Sequence, residues 1–169
     1  MAPVPSPPVL TLSAGSISQL AMEPLAPLTQ RSLAELLVWS GQVSLGFEWP
    51  READDPRELS EIAELRLWSL RADALHPWLP VLLERSTGQL TRHVAMLLPH
   101  GFSRSEGIRF APESLELWIT HRLFLLDDQA RRAGLNCRSA LAQMAAVLGF
   151  ELDPCFWDGL PTSPPTQGP

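Results

Sequence analysis

The sequence contains no lysine and no tyrosine, and all 13 basic residues among its 169 residues are arginines. Its longest basic run is Arg131-Arg132, and 19 acidic residues give a net charge of -6. A nucleic-acid-binding protein needs a basic surface that neutralises several phosphates. The charge pattern therefore argues against nucleic acid as a ligand and favours a protein partner with a basic face.

Paired cysteines and long apolar stretches are also missing. Cys137 and Cys155 form no CxxC pattern, which indicates reduced thiols in a cytosol-like compartment. No apolar stretch approaches the roughly 18 residues of a membrane span, and no basic segment followed by an apolar one opens the chain. We expect a soluble protein that is not exported and has no membrane span.

The motifs of common catalytic and metal sites do not occur. The sequence has no GxSxG, GxGxxG or GxxxxGK[ST] pattern, and no two histidines lie two or four residues apart. We therefore expect no metal, no cofactor and no catalytic residue. The alternative is a small enzyme or ligand-binding domain in which His100 acts as a general base, oriented by Glu106 or Asp73.

The sequence does contain enough apolar residues for one folded domain. Its residues are 45% hydrophobic, which allows a core of ordinary size. Many of its 17 prolines lie near the two ends, in MAPVPSPPV and LPTSPPTQGP. Segments of this composition do not offset the entropy cost of ordering. We predict one domain over residues 12–157 between disordered tails at 1–11 and 158–169.

The first half of the domain shows both helical and strand patterns. The leucines of RSLAELLVW recur at helical spacing, so a short helix opens at Thr29 or Ser32 and ends at Gly41. The alternation in VSLGFEW predicts a half-buried strand. ELRLWSLRA, residues 64–72, is apolar on both faces, which predicts a central strand covered on both sides.

The next segment has the pattern of a β-hairpin. WLPVLLER and QLTRHVAMLL flank residues 86–88, whose glycine suits a tight connection between two strands. A helical hairpin is the alternative, and Pro80 and Pro99 count against it.

The C-terminal third predicts two helices after a short IRF strand. Pro112 suits the first turn of an amphipathic helix that runs to Gly134, and Asn136 or Ser139 caps the helix that follows. The order of elements predicts an α+β fold, with a mainly antiparallel sheet of about four to five strands, an N-terminal helix and two C-terminal helices.

Two stretches are candidates for contact with another protein. Tryptophan and arginine dominate interaction hot spots, so Arg66, Trp68 and Arg71 form one candidate patch, with core packing as the alternative for Trp68. The other is AMLLPHGF, where Pro99 ends a strand and a glycine frees the backbone beyond it. We interpret His100 as part of a shaped loop that contacts a client protein.

Several spaced blocks of sequence resemble one known family. They are SEI-E-RLW at 60–68, PWLP at 77–80, AMLLPH at 95–100, EGI-F-PE-LEL at 106–117, and SALAQMAAVLGFELD at 139–153. In these blocks the chain resembles the chlororespiratory-reduction-type assembly factors of photosynthetic NAD(P)H dehydrogenase-like complexes. The blocks occur in the same order and span more than half of the chain.

The resemblance implies a soluble, non-enzymatic factor of the cyanobacterial cytoplasm, or of the chloroplast stroma in plant relatives. It implies that the factor helps to mature the membrane-distal peripheral arm of the complex by handling the iron-sulfur subunit NdhI. With two unpatterned cysteines, the chain itself is not expected to carry a cluster. The predicted partner-binding residues are Arg66, Trp68, Arg71, Trp78, Pro99, His100 and Glu106.

Overall fold

The computed structural model describes residues 5–160, and its first strand begins within the expected N-terminal tail. Strand β1 (Val9–Ser13) runs parallel to β2 (Ser44–Glu48). Leu10 and Leu12 are buried because alternate side chains of β1 face the core. The ordered chain therefore begins before the expected boundary at residue 12. Residues 1–4 and 161–169 of the two expected tails lie outside the described residues.

Short helices connect β1 to β2. They are α1 (Ala14–Ser18), α2 (Ala26–Thr29) and α3 (Leu33–Leu37). Ser32 caps α3 in a reciprocal capping box with Glu35, which confirms the predicted opening of this helix. Gly41 then takes a positive φ of 69°, and the side chain of Arg85 packs so closely that a Cβ at Gly41 would collide with it.

The middle of the chain is helical where we predicted strands. It forms α4 (Ala63–Leu75), α5 (Leu79–Leu82) and α6 (Gln89–Leu97). The predicted central strand and β-hairpin are therefore wrong. Pro80 lies in the first turn of α5 and Pro99 lies beyond the end of α6, which are positions where a helix tolerates proline.

Helix α4 explains why the strand prediction failed. Alanine, leucine, arginine and glutamate fill most of its positions, and all four favour helices. Its inner face buries Leu65 and Trp68, whereas Leu67 and Leu70 on the outer face are 55% and 48% exposed. The two apolar faces that suggested a sandwiched strand are thus one core face and one open face.

The C-terminal half follows the predicted order. Strands β3 (His100–Ser103) and β4 (Gly107–Phe110) form an antiparallel hairpin, and the predicted IRF strand lies in β4. Two helices follow, α7 (Pro112–Arg132) and α8 (Arg138–Val147). Gly134 and Gly149 have positive φ just after them, as expected of residues that end helices.

The α+β class is confirmed, but the predicted sheet of four to five antiparallel strands is wrong. Among residues 5–160, the strands form two separate pairs, and the β1–β2 pair is parallel. Helices supply most of the core, whose fully buried side chains include Leu12, Ile17, Trp68, Leu90, Val94, Leu141 and Met144. Within the same residues, no helix is both long and apolar enough to span a membrane.

Candidate protein-interaction site

An open cleft lies between α6, the β3–β4 hairpin and the chain that leads into α4. Its volume is about 550 Å³, and we call it the outer cleft. Its apolar wall consists of Leu59, Met96, Phe102 and Ile108, and its charged rim consists of Arg51, Glu58, Arg92 and Glu106. An apolar floor with a polar rim is the usual composition of a protein contact site.

His100 ties the hairpin to the chain before α4. Its Nε2 lies 2.9 Å from the hydroxyl of Ser60, and its Nδ1 lies 3.1 Å from the carbonyl oxygen of Leu98. A carbonyl oxygen can only accept, so the neutral ring donates from Nδ1 and accepts the Ser60 proton at Nε2. Ser60 also lines the outer cleft, and His100 therefore fixes one wall of it.

Four of the seven predicted partner-binding residues lie beside this cleft. Arg66 donates from one guanidinium nitrogen to the carbonyl oxygens of Ser60 and Ala95, both at 3.1 Å, so it meets His100 at Ser60. Pro99 precedes His100, and its carbonyl oxygen accepts from the amide of Ala111 at 3.2 Å. Glu106 lines the cleft and pairs with Arg109 at 3.0 Å.

The other three predicted residues lie elsewhere. Trp68 is fully buried and donates from Nε1 to the carbonyl oxygen of Ala21 at 2.9 Å, so its assignment as a contact residue is corrected to a core position. Arg71 donates to the carbonyl oxygen of Leu20 at 3.0 Å and does not line the cleft. Trp78 is half-buried with its ring 5.2 Å from that of His76, and burial lowers the pKa of His76.

The carboxylates proposed to orient a catalytic His100 are engaged with other residues. Glu106 pairs with Arg109, and Asp73 forms a buried ion pair with Arg122. What remains is the pair of the Ser60 hydroxyl and the His100 imidazole, at a distance that suits proton transfer. The carbonyl oxygen of Leu98 stands where a catalytic triad has a carboxylate. Ser60 is 4% exposed, which leaves little room for a substrate at its hydroxyl.

A smaller cavity of about 200 Å³ adjoins the outer cleft, and we call it the inner cavity. The two share Leu59, Arg92 and Met96 as lining residues. Strand β2 and α6 form the remaining walls, with Leu45, Gly46, Phe47, Gln89 and His93. This cavity was not predicted, because α6 was assigned as a strand and Gln89 and His93 were therefore not placed on one helical face.

His93 belongs to a buried polar cluster behind the inner cavity. Asp73, His93 and Arg122 are 6%, 2% and 8% exposed and come from α4, α6 and α7. Arg122 donates to Asp73, whose second oxygen lies 3.8 Å from Nε2 of His93, too far for a direct hydrogen bond. Neither ring nitrogen of His93 has a hydrogen-bond partner among residues 5–160.

Metal-binding side chains do not converge in the described part of the chain. No group of three or more histidine, cysteine or acidic residues is arranged there to hold an ion. Cys137 is buried, and burial raises the pKa of its thiol to about 11. It therefore stays protonated near neutral pH, which makes it a poor metal ligand. Cys155 is exposed.

The comparisons with known proteins identify the family. The family described as chlororespiratory reduction 6, or Crr6, matches residues 12–159. The chain belongs to the Crr6 family. Crr6 proteins are assembly factors associated with the NAD(P)H dehydrogenase-like complex, so the resemblance seen in the sequence blocks is confirmed. The match includes both the outer cleft and the inner cavity. No solved structure matches the chain.

Proposed function

We propose that this Crr6 chain holds a subunit of the peripheral arm of the NAD(P)H dehydrogenase-like complex in its outer cleft during assembly. The observation that carries the proposal is the cleft itself, which joins an apolar wall to a charged rim within the region that the family match covers. Phe102 is 60% exposed on that wall, and exposed aromatic side chains of this kind are frequent anchors of protein interfaces.

We further propose that this subunit is NdhI and that the compartment is the cyanobacterial cytoplasm or the chloroplast stroma. Its support is the resemblance of the sequence blocks to assembly factors that act on this arm. The chain would bind the protein part of an iron-sulfur subunit and leave cluster ligation to that subunit. The buried, protonated thiol of Cys137 fits this division of roles.

Co-purification from the native host tests the proposal. The tagged chain should recover NdhI or an assembly intermediate of the peripheral arm, and a deletion strain should accumulate less of the finished complex. Phe102→Glu should abolish recovery, because it places a charge on the apolar wall. Leu117→Glu is the matched control, since Leu117 is a 73% exposed leucine of α7 that does not line the cleft. Normal assembly in the deletion strain, without recovery of any subunit, would refute the proposal.

A second candidate function rests on the hydroxyl–imidazole pair of Ser60 and His100 at 2.9 Å. Such a pair is the minimum arrangement for a serine nucleophile. A fluorophosphonate probe, which labels activated serines, separates the two functions. An assembly factor should not react, whereas labelling that disappears in both Ser60→Ala and His100→Ala would favour a hydrolase.

A further inference from the structure

The outer edge of β2, the side that faces away from β1, is paired along only part of its length. Val43 donates to the carbonyl oxygen of Leu82 at 2.9 Å and accepts from the amide of Glu84 at 2.7 Å. Two residues on, the side-chain amide of Gln89 takes the place of a neighbouring strand. Its oxygen accepts from the backbone amide of Leu45, and its nitrogen donates to the carbonyl oxygen of Leu45 at 2.6 Å. Backbone groups on one edge of a strand recur at every second residue, so Phe47 is next.

Phe47 leaves this edge open. Its amide and carbonyl point to the same side as those of Val43 and Leu45, and no described residue pairs with them there. Phe47 is also one of the residues that line the inner cavity. Unpaired backbone groups on a strand edge are a template for an added strand, and many peptide-binding proteins use them in this way.

The inner cavity offers room for one side chain beside that edge. Its volume is about 200 Å³, and Leu45, Leu59 and Met96 give it apolar walls. His93, 2% exposed, lines it, and its Nδ1 has no described hydrogen-bond partner, whereas its Nε2 lies 3.8 Å from the carboxylate of Asp73. Buried polar atoms are nearly always hydrogen-bonded. A side chain with a large apolar body and a polar tip, such as tyrosine or tryptophan, meets both requirements.

The charges at the entrance point to an acidic residue in the same segment. Arg51 and Arg92 line the outer cleft, and neither lies within ion-pair distance of a described carboxylate, although Arg51 donates to the carbonyl oxygen of Asp55 at 3.4 Å. Arg92 donates to the carbonyl oxygen of Thr87 at 3.0 Å, which leaves its charge uncompensated. Glu106 is already paired with Arg109. With Glu106 paired in this way, Arg51 and Arg92 share the rim with one other carboxylate, that of Glu58, so the rim has a formal excess of one positive charge, in contrast to the net charge of -6 of the whole chain.

We propose that an extended segment of the partner subunit adds as a strand to β2 at Phe47. The segment places one aromatic side chain with a polar tip in the inner cavity, where it bonds to His93, and one carboxylate beside Arg92. The proposal deepens the proposed function, and rests on it for the identity of the partner. The other occupants of this edge, a second copy of the chain or a small molecule, are outcomes of the test below.

Hydrogen exchange of the full chain, with and without purified NdhI, tests the strand addition. The amide of Phe47 should exchange rapidly in the free chain and at least about tenfold more slowly in the complex, since a ladder hydrogen bond then protects it. The amide of Val43, which is paired in both states, is the internal control. Protection of Phe47 that rises with the concentration of the chain alone would show that a second copy occupies the edge and would overturn the proposal.

Substitutions of residues that line the inner cavity provide a second test. Leu59→Trp fills the space between cleft and cavity and should weaken binding of NdhI by at least about tenfold, as expected for loss of an anchoring side chain. Leu59→Met keeps the volume and should bind like the wild type. His93→Phe removes the ring nitrogens at nearly constant shape. If Leu59→Trp does not fold, the affinity of His93→Phe for NdhI is measured instead.

The outcomes separate the two proposals. Binding of NdhI with unchanged exchange at Phe47 and wild-type affinity in Leu59→Trp would overturn the strand addition and leave the proposed function intact. Failure of NdhI and of every co-purified peripheral-arm intermediate to bind would overturn both. Protection of Phe47 by a small molecule from the host cytosol, without any subunit, would also contradict the strand addition.

Discussion

Trp68 and His93 are two aromatic side chains buried to the same degree, at 0% and 2% exposed, yet their polar atoms have different surroundings. The indole N–H of Trp68 donates to a backbone carbonyl, whereas neither ring nitrogen of His93 has a hydrogen-bond partner among residues 5–160. Trp68 packs against Phe47, and their rings meet edge to face with centroids 6.1 Å apart. His93 borders a cavity. The core is complete around Trp68 and incomplete around His93.

The contrast between Trp68 and His93 indicates that the stability of the fold and the binding of a partner depend on different, neighbouring residues. Helix α6 both packs on α4 and lines the two cavities, and Met96 and His93 take part in both, since Met96 accepts from Ser69 of α4 and His93 lies 3.8 Å from Asp73 of α4. An unpaired buried polar group costs stability, and a partner that pairs with it regains that free energy on binding. Changes at Trp68 should therefore lower mainly stability, and changes at His93 should lower mainly affinity.

The largest expected effect on stability is at Trp68, where the core is completely packed. Trp68→Ala removes a fully buried ring and its hydrogen bond, and should lower the free energy of unfolding by about 3–5 kcal/mol. Chemical denaturation measures it, and the fraction that remains folded should bind the partner as the wild type does. Near-wild-type stability combined with lost binding would return Trp68 to the interface.

A similar or slightly smaller loss is expected at the buried ion pair. Arg122→Met leaves the carboxylate of Asp73 without its charged partner and should cost about 3 kcal/mol. Adding Asp73→Leu removes that charge, and the double variant should recover most of the loss in the same denaturation experiment. An additive double variant would mean that the two residues do not act as a pair.

His93→Phe sharpens the comparison most, because its effects on stability and binding should diverge. Removal of unpartnered ring nitrogens should change the free energy of unfolding by less than about 1 kcal/mol, in either direction. Affinity for the partner should fall at least about fivefold in a titration. A destabilisation as large as that of Trp68→Ala would show that the surroundings of His93 are as complete as those of Trp68.

The smallest effect concerns the two thiols. Cys137 lies in the packed core with its pKa raised to about 11 by burial, and Cys155 is exposed. A thiol reagent at pH 8 should modify one cysteine in the native chain and two after unfolding. Fast modification of Cys137 in the native state would show that the core opens at α8.

The sequence was most informative where one pattern dominated. Helices α7 and α8 and strand β2 each have a single apolar face, and each was predicted close to its observed position. The opening of α3 was predicted at Thr29 or Ser32 from the spacing of its leucines, and the structure places the cap at Ser32, where Glu35 completes a capping box. The family was recognised from blocks that include some of the lining residues of the outer cleft, namely Ser60, Met96, Glu106, Gly107 and Ile108.

The sequence misled us where an exposed apolar face imitates a core. Leu67 and Leu70 made α4 apolar on both faces, and only the packed structure shows that their face is open. Strand β1 escaped notice because its short alternation follows a proline-rich start, and its pairing with β2 is a long-range contact. The inner cavity likewise depends on tertiary packing, since Phe47 and His93 come from elements far apart in sequence.

Site-specific photo-crosslinking in the native host tests whether the outer cleft holds a subunit of the peripheral arm. A photo-reactive amino acid at position 102, on the wall of the outer cleft, should form a covalent adduct with a subunit of the peripheral arm. The same amino acid at position 117, exposed on α7 outside the cleft, should not. An adduct from position 117 and none from position 102 would contradict the account, because the partner would then contact a different surface.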